Sequence, residues 1–263
     1  MFLPSMSVVS YTARIKTMPA SARALFETER TIKAKQGKPH MANTDDTNDQ
    51  YLQPTEILDS EHPDIVSFVT ETIDSAVDPV ERACRLFLAV RDRIIYDTKV
   101  PFYKPEHYRA SHVLKQGRGY CVSKACLLCA AGRTAGIPSR LGLVDLRNRG
   151  ANPEIIEIIG CDIFTFHGYT EFLLEGKWLK ATPAFDSSVF AKHNIAPVTF
   201  DGIHDAVYPS HNLNGAPYAE YLTYHGSFAD LPLDALLKSW RKIYGADRVQ
   251  MWIDAFEAGE IIN

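Results

Sequence analysis

Apolar and polar positions alternate along this chain with two different periods. From Pro63 onward, behind a start signal at Asp59 and Ser60, Ile65, Val66, Val69 and Ile73 recur at helical spacing, which predicts a helix. A second helix is expected after Asp78 and Pro79. Val80, Ala83, Cys84, Phe87, Val90 and Ile94 share one of its faces, while Glu81, Arg85, Arg91 and Asp92 lie largely elsewhere. Residues 97–118, rich in Pro, Tyr, His and Lys, read as a long loop, and a loop of that length in a compact domain is more often functional than idle. A third helix is expected over 122–135, ended by Gly136, Ile137 and Pro138. Strand patterning follows at 139–146, 169–174 and 177–182, the last two joined by a Glu175-Gly176 turn. Amphipathic helices are expected over 232–244 and 247–258. Helices, then strands, then helices predict an α+β fold.

The first 50 residues differ from the rest. Basic residues outnumber acidic ones over 1–38, a helix is expected over 20–35, and residues 41–50 are polar and acidic, as a linker would be. The expected division is therefore a basic extension and linker over 1–50 and one domain over 51–263, with its core at about 80–190. Met41 is an alternative start of translation, and the basic segment reads as a solvated tail or, less simply, as a site for an acidic partner.

With 46% hydrophobic residues among 263, the chain can bury a sizeable core. A formal net charge of −4 gives no reason to expect nucleic acid or a membrane surface as a partner. No apolar run approaches the roughly 20 residues of a bilayer span, and no secretion signal is read. The five cysteines, at positions 84, 121, 126, 129 and 161, do not form a disulfide framework, so a reducing, cytoplasmic setting is expected.

Cys121 follows Gly119 and Tyr120 directly before a helix. The macrodipole and unpaired N–H groups of a helix start favour a thiolate, and the same groups can receive an oxyanion. The alternative is a buried structural cysteine. His167 precedes the strand expected at 169–174 and is otherwise a core histidine. If Glu175-Gly176 is a two-residue loop, residues 167, 169 and 182 share one sheet face, so a group at or just beyond 182 can orient the His167 ring.

The segment GYCVSKACLLCAAGRTAGIPSR, residues 119–140, resembles the cysteine motif of the transglutaminase-like superfamily. HGYTE, residues 167–171, and EGKWLKATP, residues 175–183, resemble its His and Asp motifs. The resemblance covers about residues 80–190. It implies a papain-like fold in which the Cys-bearing helix packs on an antiparallel sheet. It also implies acyl transfer through a thioester at Cys121 with His167 handling the proton, to water or an amine, without an organic cofactor. One position departs from the pattern: Thr182 stands where the family places its Asp. Asp186, just beyond Pro183, is the expected orienter, with Thr182 next and a lapsed site last. The plainer reading of Asp186 is a cap before Ser187 and Ser188.

Weaker signals remain. Cys121, Cys126 and Cys129 could suggest zinc, but 126 and 129 sit at helical core spacing and no second pair of ligands has the right spacing, so no metal is expected. His193, His204, His211 and His225 read as solvated loop residues. Tyr103, His107, Tyr108 and His112 are expected either to border the cleft or to pack on the Cys helix. Residues after 190 carry no readable motif. The leading expectation is an intracellular cysteine hydrolase acting on the amide bond of a peptide, protein or small molecule. A peptide-binding module with a lapsed triad and a zinc-stabilised domain are its rivals.

Overall fold

The computed structural model describes residues 48–259, which lie within a unit spanning Asp45–Asn263. The unit Met1–Thr44, with the helix expected over 20–35, lies outside the described residues.

The first two helices form where the apolar periodicity places them. Helix α1 (Pro63–Ile73) starts with Pro63, behind His62, whose ring Nδ1 accepts from Asp64 N–H. Helix α2 (Pro79–Arg93) starts with Pro79, behind Asp78, whose carboxylate accepts from Val80 N–H. The supposed loop 97–118 is more ordered than expected. It holds a 3-10 turn (Pro105–His107) and helix α3 (Ala110–Gln116), stopped by Gly117 at φ 64°. Seven residues are too few for a periodic signal, which is why composition alone suggested a loop. Strand β1 (Ile95–Tyr96) pairs in parallel with β2 (Arg118–Gly119) and so returns the chain to the start of the next helix.

That helix, α4 (Cys121–Thr134), is buried from Val122 to Arg133. It is apolar almost all round, as a central helix must be. The main sheet follows: β3 (Ser139–Asn148), β4 (Ile163–Leu174), β5 (Lys177–Ala181) and β6 (Ala219–Phe228), in the order β5-β4-β3-β6 with antiparallel neighbours throughout. This is the expected α+β arrangement. Glu175 and Gly176 both have positive φ, 48° and 76°, as a two-residue hairpin of primed type requires, and the register pairs Phe172 with Leu179 as predicted. Strand β4 starts at Ile163, so His167 lies inside the strand and not at its head. Short helices α5 (Pro153–Ile159) and α6 (Ser187–His193), and edge strand β6, were not foreseen. The chain closes with α7 (Leu233–Tyr244) and α8 (Ala246–Glu257). Among the described residues no helix is long and apolar enough to cross a membrane.

Close approach holds α4 on the sheet. Thr170 Oγ1 donates to the Ala125 carbonyl at 2.9 Å. A Cβ on Gly132 would lie 2.2 Å from Ser139 Oγ and 2.5 Å from the Phe172 ring. Buried Lys124 donates to the carbonyls of Arg91 and Ile94 at the end of α2, groups that the helix itself leaves unpaired. On the outer face, Glu171 accepts from Arg140 and Ser227, and the Arg140 guanidinium stacks 3.9 Å from the centre of the Trp178 ring.

Gly132 sets a test of this packing. On an exposed helix, Gly→Ala stabilises by about 1 kcal/mol. Here the added methyl has no room, so Gly132→Ala should destabilise by about 1–3 kcal/mol in urea unfolding. An unchanged or higher midpoint would contradict the contact.

Candidate active site

Cys121 is the first residue of α4. Its neighbour Tyr120 is extended and pinned: its N–H donates to Ser123 Oγ at 3.0 Å. Tyr108 Oη donates to the Phe102 carbonyl at 2.7 Å, so its only proton is committed and Tyr120 Oη donates to it at 2.5 Å. Strand β4 runs against the first turn of α4 at Gly168, where a Cβ would come within 2.8 Å of Val122 Cα. The N–H groups of Gly168, Val122 and Cys121 act to lower the pKa of the thiol. Desolvation is larger and pushes the thiol up to about 11. The helix start therefore does not leave a resting thiolate, as its dipole alone would suggest; burial wins.

His167 is 4% exposed, and burial lowers its pKa to about 4, so the ring is neutral at ordinary pH. Its register partner on β3 is Val144, and the Tyr208 ring lies 5.4 Å away, centre to centre. No hydrogen bond joins His167 to Cys121, but both line one cavity of about 890 Å³. Among the described residues His167 Nε2 and Thr182 Oγ1 are buried polar atoms without a hydrogen-bond partner. Continuing the β4–β5 register by one residue from Thr170–Ala181 sets Thr182 opposite Tyr169, on the sheet face of His167.

Asp186 does not reach His167 in this structure, contrary to expectation. Its carboxylate accepts from Ser188 N–H and Oγ, from Val189 N–H and from Tyr96 N–H, which makes it the cap of α6 and a tie to β1. Those bonds hold its pKa below the usual carboxylate value despite desolvation, the largest single effect. Asp186 and Asp92 also raise the pKa of Lys124, but desolvation outweighs them and brings it down to about 7.

Several residues near the site carried no recognised signal. Asp145 Oδ1 accepts from Thr165 Oγ1 at 2.7 Å, from Phe166 N–H at 3.2 Å and from His225 Nε2 at 2.7 Å. His225 also stacks on Phe166, so it is not a solvated loop residue. Phe166 has φ 57°, uncommon for a bulky side chain, and these contacts hold it there, next to His167. A lone acid within the apolar run of β3 was the available clue. Of the loop residues Tyr103, His107, Tyr108 and His112, none lines this cavity and Tyr108 packs beneath Tyr120; Lys99, Val100 and Phe102, which were not singled out, line it instead. Cys126 and Cys129 are buried within α4, and among the described residues no His, Cys, Asp or Glu cluster is placed to hold a metal.

The neutral His167 makes stability depend on pH. Between pH 6.5, its ordinary value, and about 4, the unfolded chain binds the proton and the folded chain does not. Stability should therefore fall as pH drops through that window. In urea titrations at a series of pH values, His167→Gln should show a shallower fall than the parent protein. Equal slopes would contradict the buried neutral ring.

A family model described as the transglutaminase-like superfamily matches residues 66–183. No curated protein matches the chain. Among solved structures, a "putative cysteine protease" from Cytophaga hutchinsonii is 14% identical with a TM-score of 0.43, covering 70% of this chain and 55% of its own. A "putative protease" from Parabacteroides distasonis is 17% identical with a TM-score of 0.33, covering 52% of this chain and 25% of its own. This chain thus spans about half the length of the first and a quarter of the second. The matched segment runs from α1 through Cys121 and His167 to the end of β5, and over residues 66–183 this chain is similar to the transglutaminase-like superfamily.

Proposed function

We propose that this protein is a cysteine hydrolase that opens an amide bond of a peptide, protein or small amide through a thioester on Cys121. The observation that carries the reading is the meeting, in one cavity, of a thiol at the start of a helix and a neutral imidazole. His167 takes the Cys121 proton as sulfur attacks the carbonyl carbon, and the N–H groups at the start of α4 receive the oxyanion. The C–N bond then breaks, and His167 gives the proton to the leaving amine. Water, deprotonated by His167, attacks the thioester, the C–S bond breaks, and the thiol returns with its proton. Transfer to an amine would share every step but the last. Because burial holds both groups neutral, the proton moves as the bond forms and no preformed ion pair is needed. The five free thiols support a reducing, cytoplasmic setting.

A second reading, a peptide-binding module with a lapsed triad, is favoured by one observation: His167 Nε2 has no partner, and Thr182 supplies no carboxylate. A panel of N-blocked dipeptide coumarylamides separates the two. Hydrolysis is expected to release coumarin, to leave an acyl mass increment on Cys121 and to stop in Cys121→Ala. Equal release by Cys121→Ala would contradict the enzyme reading. No release by the parent protein together with release by Thr182→Asp would establish the lapsed module instead.

A further inference from the structure

The cavity that holds Cys121 and His167 has an unusual wall. Phe102, Ile158, Trp240, Met251, Trp252 and Phe256 are among the residues that line it. Four of the rings form one cluster: Phe102 lies 4.8 Å from Trp240, 6.2 Å from Trp252 and 6.0 Å from Phe256, centre to centre. Trp240 and Tyr244 are further tied to β4 just before His167, through the Thr165 carbonyl and N–H respectively. Trp240, Met251, Trp252 and Phe256 belong to α7 and α8, beyond the family-matched residues 66–183. Met251 is 60% exposed although apolar, so the wall continues to the mouth of the cavity. The charges that also line the cavity balance: Lys99 and Arg248 against Glu154 and Glu157. The two signs cancel in number and give no preference for a charged substrate, whereas an apolar body would be desolvated against the aromatic wall.

We infer that the acyl group delivered to Cys121 carries a bulky apolar, aromatic-sized side chain, and that α7 and α8 select it. This rests on the acyl-enzyme reading above and names its substrate class. Within that class the acyl donor could be a simple carboxylic amide or a peptide with an aromatic residue at the scissile bond. The chemistry of recognition is the same for both.

The full chain is tested with p-nitrophenyl esters of acetate, 3-phenylpropionate, N-acetylphenylalanine and monosuccinate. Acylation of Cys121 is followed by intact mass and by release of p-nitrophenolate. The 3-phenylpropionyl or N-acetylphenylalanyl ester should acylate at least about tenfold faster than acetyl or succinyl, because burial of that many carbons discriminates by this order. Whichever of the two is faster identifies the source as simple or peptidic. Met251→Asp, at an exposed position that should not disturb folding, should reduce the preference to below about threefold. Rates within threefold across the parent protein's panel, or a preference for succinyl, would overturn the inference. If no ester acylates Cys121, the acyl-enzyme reading fails by itself. Tryptophan fluorescence then still decides the cleft's selectivity: quenching of Trp240 and Trp252 by 3-phenylpropionamide but not by acetamide supports it, and no difference overturns it.

Discussion

The contact between the first turn of α4 and strand β4 at Gly168 is the constraint on which the rest depends. A single added carbon there would sit 2.8 Å from Val122 Cα, so helix and strand can meet only because the residue after His167 has no side chain. The contact brings Gly168 against Cys121 and Val122 and sets the Cys121 thiol and His167 on one cavity. It also takes both groups away from water. Burial drives the thiol up to about 11 and the imidazole down to about 4, which favours the neutral form of each. Proximity and desolvation thus come from one cause, and the chemistry available is that of a neutral thiol beside a neutral base.

The position of His167 is held from outside the matched core as well. Asp145 gathers Thr165, Phe166 and His225 on a single carboxylate oxygen, which keeps Phe166 in a left-handed conformation. From α7, Tyr244 accepts from the Thr165 N–H and Trp240 donates to its carbonyl. The C-terminal helices are therefore coupled to the strand that carries His167 and also wall the cavity in front of it. A change in α7 can reach the site through the hydrogen bonds of Tyr244 and Trp240 to Thr165. Lys124 works from the other side, fastening α4 to the end of α2 one turn after Cys121.

Much of this was legible in the sequence, for reasons that can be named. The β4–β5 hairpin was readable because Glu175-Gly176 admits a primed two-residue turn, and that turn alone fixes the register. Cys121 and His167 drew attention because each sits in a run whose residue types serve both packing and chemistry, and the structure sets both on one cavity. Asp186 was misjudged: its position just beyond the family's usual Asp suggested an orienter, but the Ser187-Ser188 that follows it forms a capping turn, and the local bonds won. Strand β6 escaped notice because its residues are half exposed and interrupted by Gly226 at φ 115°, so they show no clean alternation. His225 was lost with it. Helices α5 and α6 are too short to leave a periodic trace.

The most direct measurement is the pH dependence of Cys121 alkylation, read peptide by peptide in mass spectrometry, for the parent protein and for His167→Ala. A neutral thiol served by a neutral base predicts a plateau of Cys121 reactivity across neutral pH that disappears without His167. In the variant, reactivity should rise only toward the thiol's own value of about 11. The same steep rise toward 11 in both proteins, with no plateau in either, would contradict a working Cys121–His167 pair.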